Sequence, residues 1–435
     1  MNSKIMKGDL LVAVAILGGL LIPCIMASKA YAIPAFSRLY KKECVTCHTM
    51  YPERNDYGDA FEKNGYYPPE GMEKVVAVKG SNTPDVLDPL AAVGIPSQVP
   101  VSIWGMTNIT YNKNNPELNN HPQFDFDAGS DLSMMAAGNF LGKVAYWGDY
   151  DFSAQQTGEV FIQLMRPVNM PINIKIGKFE PKTSLWKSND NAMVAEFAHL
   201  SKFVDSAFSN GAFTGDPNFT LDTHQGGVEL NSVILPRLFF ATGITNGLTK
   251  TTNAKDWYGH VSTRIGGADF KGNEPDIDLE HMNFFDYLSL TLGSYGYVGS
   301  SNNSTNDFYR AGIDAELDCK QAKLKLGGVY GNDDDPRVPD LTLLANPIAD
   351  QRPARSKMAF VQGEYLFNSM LLTSLRLEIE NIENQNVARR VIPSVSYTPV
   401  QNLKLTLEYL GESVSVEGGP GTHNDQATFN VSCAF

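Results

Sequence analysis

Five consecutive residues near the N-terminus have the types and the spacing that bind a haem covalently. Cys44, Cys47 and His48 spell C-x-x-C-H, and in an exported chain this motif is the attachment site of a c-type haem. Two thiols three positions apart reach one edge of the porphyrin, and the next residue brings an imidazole nitrogen to the iron. The sequence therefore predicts one haem c, attached through Cys44 and Cys47, with His48 as the metal ligand.

A zinc site and a thioredoxin-like redox pair are two other readings of this motif. A zinc site would need a second pair of ligands, and the sequence contains no second C-x-x-C. A redox pair belongs to a βαβ unit, which residues 30–60 do not indicate. Chance occurrence of these five residues is the remaining alternative. Because the features of a zinc site and of a redox pair are missing, we interpret the motif as a haem attachment site.

An export signal precedes the motif. Lys4 and Lys7 form a short positive region, an apolar run follows from Leu10 to Met26, and Ala30-Tyr31-Ala32 has the A-x-A form of a cleavage site. Residues 1–32 are therefore predicted to be a signal peptide that is removed on export. An uncleaved anchor stays an alternative, whereas the preceding proline makes Cys24 a poor lipoprotein site.

The formal net charge of the chain is −13. Such an acidic balance disfavours a nucleic-acid partner. It favours small cations and basic proteins as partners. The alternative is that the negative charge only keeps the protein soluble. Beyond the signal, the sequence has no run of 18 apolar residues, so a second helical membrane span is not expected.

Three sections follow the signal. Residues 33–80 surround the haem motif, residues 81–100 form a proline-containing linker, and residues 101–435 alternate between apolar and polar side chains. The alternation is regular in Ile172–Phe179 and Leu403–Tyr409, and turn residues interrupt it along the whole section. Counting these interruptions predicts about 16 strands.

Short turns and long polar stretches separate the predicted strands. This pattern is typical of outer-membrane barrels, and a terminal Phe435 after alternating apolar residues resembles their recognition signal. We therefore predict an all-β fold, a 16-stranded outer-membrane β-barrel with a small helical haem segment as plug; a soluble β-sandwich or propeller is the alternative. The long polar stretches are 181–224, 266–282, 332–356 and 412–424.

Within the haem segment, residues 34–43 and 53–63 are predicted to be helices. Tyr57 and Phe61 are four positions apart, so they share one helical face that can pack against the porphyrin. Met72 and His121 are candidates for the sixth iron ligand. Two further cysteines, Cys319 and Cys433, can form a disulfide or remain as thiols.

The run from Cys44 to Tyr66 resembles the haem segment of fused monohaem cytochrome–porins, which include the outer-membrane iron(II) oxidases of iron-oxidising bacteria. The strong match is confined to this segment, and the barrel matches only in length, strand pattern and terminal residue. The matching features are the C-x-x-C-H, the aromatic-proline pair Tyr51-Pro52, a helix with Gly58 and Phe61, and the closing Asn64-Gly65-Tyr66.

The resemblance implies an outer-membrane barrel that contacts lipid, with the haem segment in its mouth or facing the periplasm. Electrons would pass from an external donor, Fe(II) in the leading hypothesis, to a periplasmic c-type cytochrome, so the chain would be an iron(II):cytochrome c oxidoreductase. Outward electron export to extracellular metal and a porin with a structural haem plug are the alternatives. Asp333-Asp334-Asp335 is a candidate for attracting Fe²⁺, with a solvated acidic loop as the plainer reading.

Overall fold

The computed structural model describes residues 35–40, 42–69, 101–115, 121–201, 220–247, 255–274, 288–301, 306–334, 354–382, 386–416 and 421–434. The predicted signal peptide, the predicted linker and Met72 lie outside the described residues. Within the described ranges, no helix is both long and apolar enough to cross a membrane.

A small segment precedes the barrel. In chain order it contains α1 (Ala35–Tyr40), α2 (Cys44–Cys47), β1 (His48–Met50), β2 (Glu53–Arg54) and α3 (Asp56–Lys63). The helix predicted over 34–43 ends at Tyr40. The helix predicted over 53–63 starts only after Asn55, because the side chain of Asn55 caps it by accepting the Gly58 N–H.

Sixteen antiparallel strands close into a single barrel, as the alternation predicted. Each strand pairs with its neighbours in sequence, and the last strand pairs with the first to complete the ring. The strands are β3 (Val101–Asn115), β4 (His121–Phe140), β5 (Val144–Asp151), β6 (Gln156–Leu164), β7 (Asn173–Phe179), β8 (Gln225–Leu235), β9 (Leu238–Thr245), β10 (Asp256–Gly266), β11 (Leu288–Ser301), β12 (Asn306–Cys319), β13 (Ala322–Asp333), β14 (Ala354–Asn368), β15 (Leu371–Ile382), β16 (Asn386–Val400), β17 (Leu403–Val416) and β18 (Thr422–Ala434).

The barrel is apolar outside and polar inside, the reverse of a soluble protein. In β15, Leu375 and Leu377 are 47% and 43% exposed, whereas Arg376 is 0% and Glu378 5% exposed. Successive side chains in a strand point to opposite faces, so the alternating residues of this strand divide between outer surface and lumen. A soluble sandwich would bury the apolar face instead, and that alternative is wrong.

The two ends of the barrel differ. Turns of two residues, at 236–237, 320–321, 369–370 and 401–402, lie at one end, which we call the short-turn end. The first residue of β3 and the last of β18 lie there too, because the number of strands is even. The strand ends that residues 180–224 and residues 334–353 connect lie at the opposite end, which we call the long-loop end. Residues 267–287 depart from the expected alternation, since this long connection joins strand ends at the short-turn end.

The two remaining cysteines are far apart in the strand order. Cys319 ends β12, whereas Cys433 lies in β18, and these strands are not neighbours in the barrel. No disulfide joins the two residues.

Candidate functional site

Residues 35–69, which carry the C-x-x-C-H motif and which we call the haem segment, contact the short-turn end of the barrel. The backbone N–H of Ala35 donates to Ser102 Oγ at 2.8 Å, and Asn139 Nδ2 donates to the Gly65 carbonyl at 2.6 Å. Ser102 is the second residue of β3 and Asn139 is the last but one of β4, so both wall residues lie at the short-turn end. The segment is therefore held at its beginning and after its last helix by the same rim.

The two haem-motif cysteines lie on a single helical turn. Cys44 begins α2 and Cys47 ends it, and residues three positions apart share one face of a helix. The Cys44 N–H donates to Gln401 Oε1 at 3.2 Å, which places the turn beside the short-turn rim. Val45 between them is 43% exposed. Both thiols thus reach one surface, as covalent attachment to a porphyrin edge requires.

Asn55 fixes the conformation of this turn. Its Nδ2 donates to the carbonyls of Val45 and Thr46, both at 3.1 Å, and its backbone N–H donates to the Cys47 carbonyl at 3.0 Å. Helix α3 approaches so closely that a Cβ on Gly58 would lie 2.1 Å from the Cys47 oxygen. The haem motif is therefore clamped against α3 by hydrogen bonds and by close packing.

Two backbone carbonyls fix the orientation of the His48 ring. Its Nδ1 lies 3.0 Å from the Pro52 carbonyl and 3.2 Å from the Glu53 carbonyl. Carbonyl oxygens only accept, so the proton is on Nδ1, and Nε2 is left as the metal-binding nitrogen. Burial lowers the pKa of His48, which favours the neutral imidazole that metals bind. The residues present fit a haem c.

One of the two predicted sixth ligands is excluded by position. His121 begins β4 opposite Asn115, at the long-loop end, and β4 then runs 20 residues to the short-turn end. At roughly 3.4 Å per strand residue, His121 is tens of ångströms from Cys44, so its prediction as a ligand is wrong.

Glu53 ties β2 to the barrel wall. It is 1% exposed, and its Oε1 lies 3.0 Å from Lys325 Nζ and 3.1 Å from Lys323 Nζ. Both lysines point inward from β13, and Lys325 also lies 3.0 Å from Glu364 on β14. These contacts fix Glu53 against the barrel wall. Breaking them would be costly, because removing either partner would leave a buried charge without compensation.

A second segment enters the lumen from the long-loop end. We call residues 180–201, which follow β7 and end in α4 (Ala198–Ser201), the inserted segment. The Ala195 N–H donates to Glu408 on β17 at 2.7 Å, and Lys404 Nζ donates to the Ala192 carbonyl at 3.0 Å. Lys404 is the second residue of β17 after the turn at 401–402, so the inserted segment reaches the short-turn end.

The haem segment and the inserted segment meet inside the barrel. Arg54 donates to Asp190 from its backbone N–H at 2.8 Å and from Nε at 2.9 Å, and it also pairs with Glu62. Although burial opposes it, the Arg54 guanidinium holds the pKa of Asp190 below its usual range. Lys187 of the inserted segment adds a contact of 3.7 Å to Glu62. The two segments are thus joined by buried charges.

The spaces beside α3 are small. Two cavities of about 30 Å³ each lie along this helix, room for a few water molecules. Lys63, Lys182 and Phe239 line both of them. These spaces are too small for the solutes that an open porin passes.

The acidic run predicted to attract Fe²⁺ is divided by the fold. Asp333 ends β13, is 2% exposed and is paired with Arg310. Asp334 is exposed, and Asp335 lies outside the described residues. Strand β13 extends into the stretch 332–356 that was predicted to be polar and outside the strands. Asp333 is therefore a structural partner of Arg310.

Sequence reasoning missed the charged lumen residues that hold the site. Arg54 and Asp190 carry no local signal, since their pairing depends on two segments entering from opposite ends. Lys323 and Lys325 do carry one, because charges at alternate positions of a barrel strand mark its inward face.

No protein-family model and no curated protein sequence matches this chain. Solved structures do match. The anion-selective porin from Comamonas acidovorans superposes with a TM-score of 0.52 at 11% identity, over 77% of this chain and 99% of that one. The fold is that of the outer-membrane porins. OprB of Pseudomonas putida gives a TM-score of 0.51 at 8% identity, over 77% and 94% of the two chains. Identities this low establish the porin fold alone.

Proposed function

We propose that this chain is an outer-membrane protein that transfers single electrons through one haem c, held in the short-turn mouth of a porin-type barrel. The observation that carries the proposal is the prepared haem motif. Cys44 and Cys47 share one helical turn, and a backbone carbonyl orients His48 with Nε2 left for a metal. The apolar outer surface supports the membrane location.

Each residue of the haem motif has its own role in the proposed function. A bound haem c supplies a centre that gains and loses one electron. Cys44 and Cys47 provide the attachment, His48 the iron ligand, and Asn55 the fixed backbone around them. In the leading direction, one Fe²⁺ outside the cell becomes Fe³⁺ and one periplasmic c-type cytochrome is reduced by the released electron. Because the haem motif lies at the short-turn end, an electron carrier must reach into the barrel from the long-loop end. Short turns face the periplasm in outer-membrane barrels, so Val45 would face the cytochrome.

A solute porin with a structural haem plug is the second candidate, and the porin fold favours it. The ion pairs that join the haem segment to the inserted segment weigh against it, because they hold these two segments together inside the barrel, where a solute would have to pass. Outward electron export to extracellular metal uses the same residues as the leading direction and differs only in the partner and the potential.

Haem attachment is the first test. We expect the purified protein to retain haem after denaturation, and Cys44→Ser and Cys47→Ser to lose covalent haem. Cys319→Ser and Cys433→Ser are matched controls that should keep it. A wild-type protein without haem that opens ion-conducting pores in a planar bilayer would contradict electron transfer and leave the porin candidate.

Direction is the second test. The oxidised, haem-loaded protein in nanodiscs is mixed anaerobically with Fe²⁺, and haem absorption is followed. Fast reduction supports the leading direction. Oxidation of the dithionite-reduced protein by iron(III) chelates, without reduction by Fe²⁺, supports outward export instead.

A further inference from the structure

The orientation of His48 depends on three residues of backbone. Its Nδ1–H donates to the carbonyls of Pro52 and Glu53, at 3.0 and 3.2 Å. These carbonyls belong to the two residues that come before Arg54 in the chain. Any shift of the backbone at residues 52–54 therefore changes the hydrogen bond that the ring makes.

This backbone is anchored from two sides by buried charges. On one side, Glu53 binds Lys325 of the barrel wall at 3.0 Å. On the other, Asp190 accepts from both the backbone N–H and the Nε of Arg54, at 2.8 and 2.9 Å. Two parallel hydrogen bonds from one residue to one carboxylate fix its orientation as well as its distance. Asp190 belongs to the inserted segment, which starts at the other end of the barrel.

We propose that Asp190 is a positioning residue for His48, acting through Arg54, so that the inserted segment sets the reduction potential of the haem. This inference rests on the haem attachment of the proposed function. A hydrogen bond to the second ring nitrogen raises the basicity of a metal-binding histidine, and such bonds are one lever on haem potentials. A more basic ligand favours the oxidised iron, so loosening this bond raises the potential.

Three variants separate positioning from charge. Asp190→Asn keeps the size of the side chain and removes its charge. Arg54→Lys keeps the positive charge and the backbone N–H but loses the guanidinium donors to Asp190, since an ammonium group cannot form the planar fork. Glu408→Gln is the matched control, because Glu408 holds the same inserted segment through Ala195 without touching Arg54.

The measurement is the midpoint potential of the haem in the purified full-length protein, by optical titration. We expect Asp190→Asn and Arg54→Lys both to raise it, by a tenfold change in the reduction equilibrium or about 59 mV for one electron. Glu408→Gln should leave it unchanged. If Asp190→Asn raises the potential and Arg54→Lys does not, the effect is one of charge, and positioning is wrong.

A second readout does not need the haem. In the Cys44→Ser, Cys47→Ser background, Asp190→Asn should speed amide hydrogen exchange at residues 48–56, and Glu408→Gln should not. Unchanged exchange together with an unchanged potential would overturn the inference while leaving the haem function intact. A wild-type protein that carries no haem would instead overturn the proposed function.

Discussion

Arg54 and Asp190, 136 residues apart in the chain, form a two-point ion pair inside the barrel. Their side chains are 14% and 8% exposed, so the pair is largely shielded from water. It joins the haem segment at the short-turn end to a segment that enters from the long-loop end. Each of these two residues therefore compensates the charge of the other where the two segments meet.

Arg54→Gln should loosen the haem segment. The change leaves Asp190 buried without its cation, and breaking a buried pair from one side costs about 3–5 kcal/mol. We expect greater protease sensitivity of the segment and more frequent conducting events in planar bilayers. Lys113→Gln is the control, since Lys113 is 64% exposed and lies 3.7 Å from Asp425, a surface pair worth less than about 1 kcal/mol. Equal effects of both variants would contradict the prediction that the Arg54 ion pair holds the haem segment in place.

Glu180 should make stability depend on pH. Burial raises its pKa from 4.5 to about 8, and the carboxyl group is held by Ser188 through the backbone N–H and Oγ. Between these values the folded state keeps a proton that the unfolded state has lost. The contribution to stability is therefore complete below pH 4.5 and is lost as the pH rises to 8.

The measurement is the free energy of unfolding at about pH 5 and about pH 9, for the wild type and for Glu180→Gln. The wild type should be less stable at the higher pH, and the variant should lose part of that difference because Gln does not titrate. An identical pH difference in both proteins would show that Glu180 ionises normally.

Gly58→Ala should impair haem attachment. The new Cβ would lie 2.1 Å from the Cys47 carbonyl oxygen, so α3 or the haem motif must shift. Gly148→Ala is the matched control, because no atom lies within 4 Å of its Cβ position. Covalent haem per polypeptide should fall in the first variant and stay at the wild-type level in the second. Full attachment in Gly58→Ala would mean that the contact between α3 and the motif is dispensable.

The barrel could be predicted from the sequence because each strand carries its own information. The alternation of Leu375 and Leu377 with Arg376 predicts which face of the strand points outward, and this prediction needs no residue from another part of the chain.

The haem motif could be predicted for a similar reason, since the chemistry of C-x-x-C-H is local. Its surroundings could not. The hydrogen bonds of Asn55 require that residues 44–47 and 55 lie side by side in the fold. Asp190 and Lys325, which anchor the haem segment, are far from it in the sequence. Contacts between segments that enter a barrel from opposite ends leave no periodic signal in either one.

Ile313→Lys should destabilise the barrel if its outer surface faces lipid. Ile313 lies in the middle of β12, points outward and is 69% exposed. A lysine on the lipid face near the midplane costs about 2–4 kcal/mol, falling to about 0–1 kcal/mol near the interfaces. Leu141→Lys is the control, because Leu141 is 92% exposed in the turn after β4 at the short-turn end. Unfolding in lipid vesicles should show a large loss for Ile313→Lys and little for Leu141→Lys. Two small and equal effects would mean that water, and not lipid, surrounds β12.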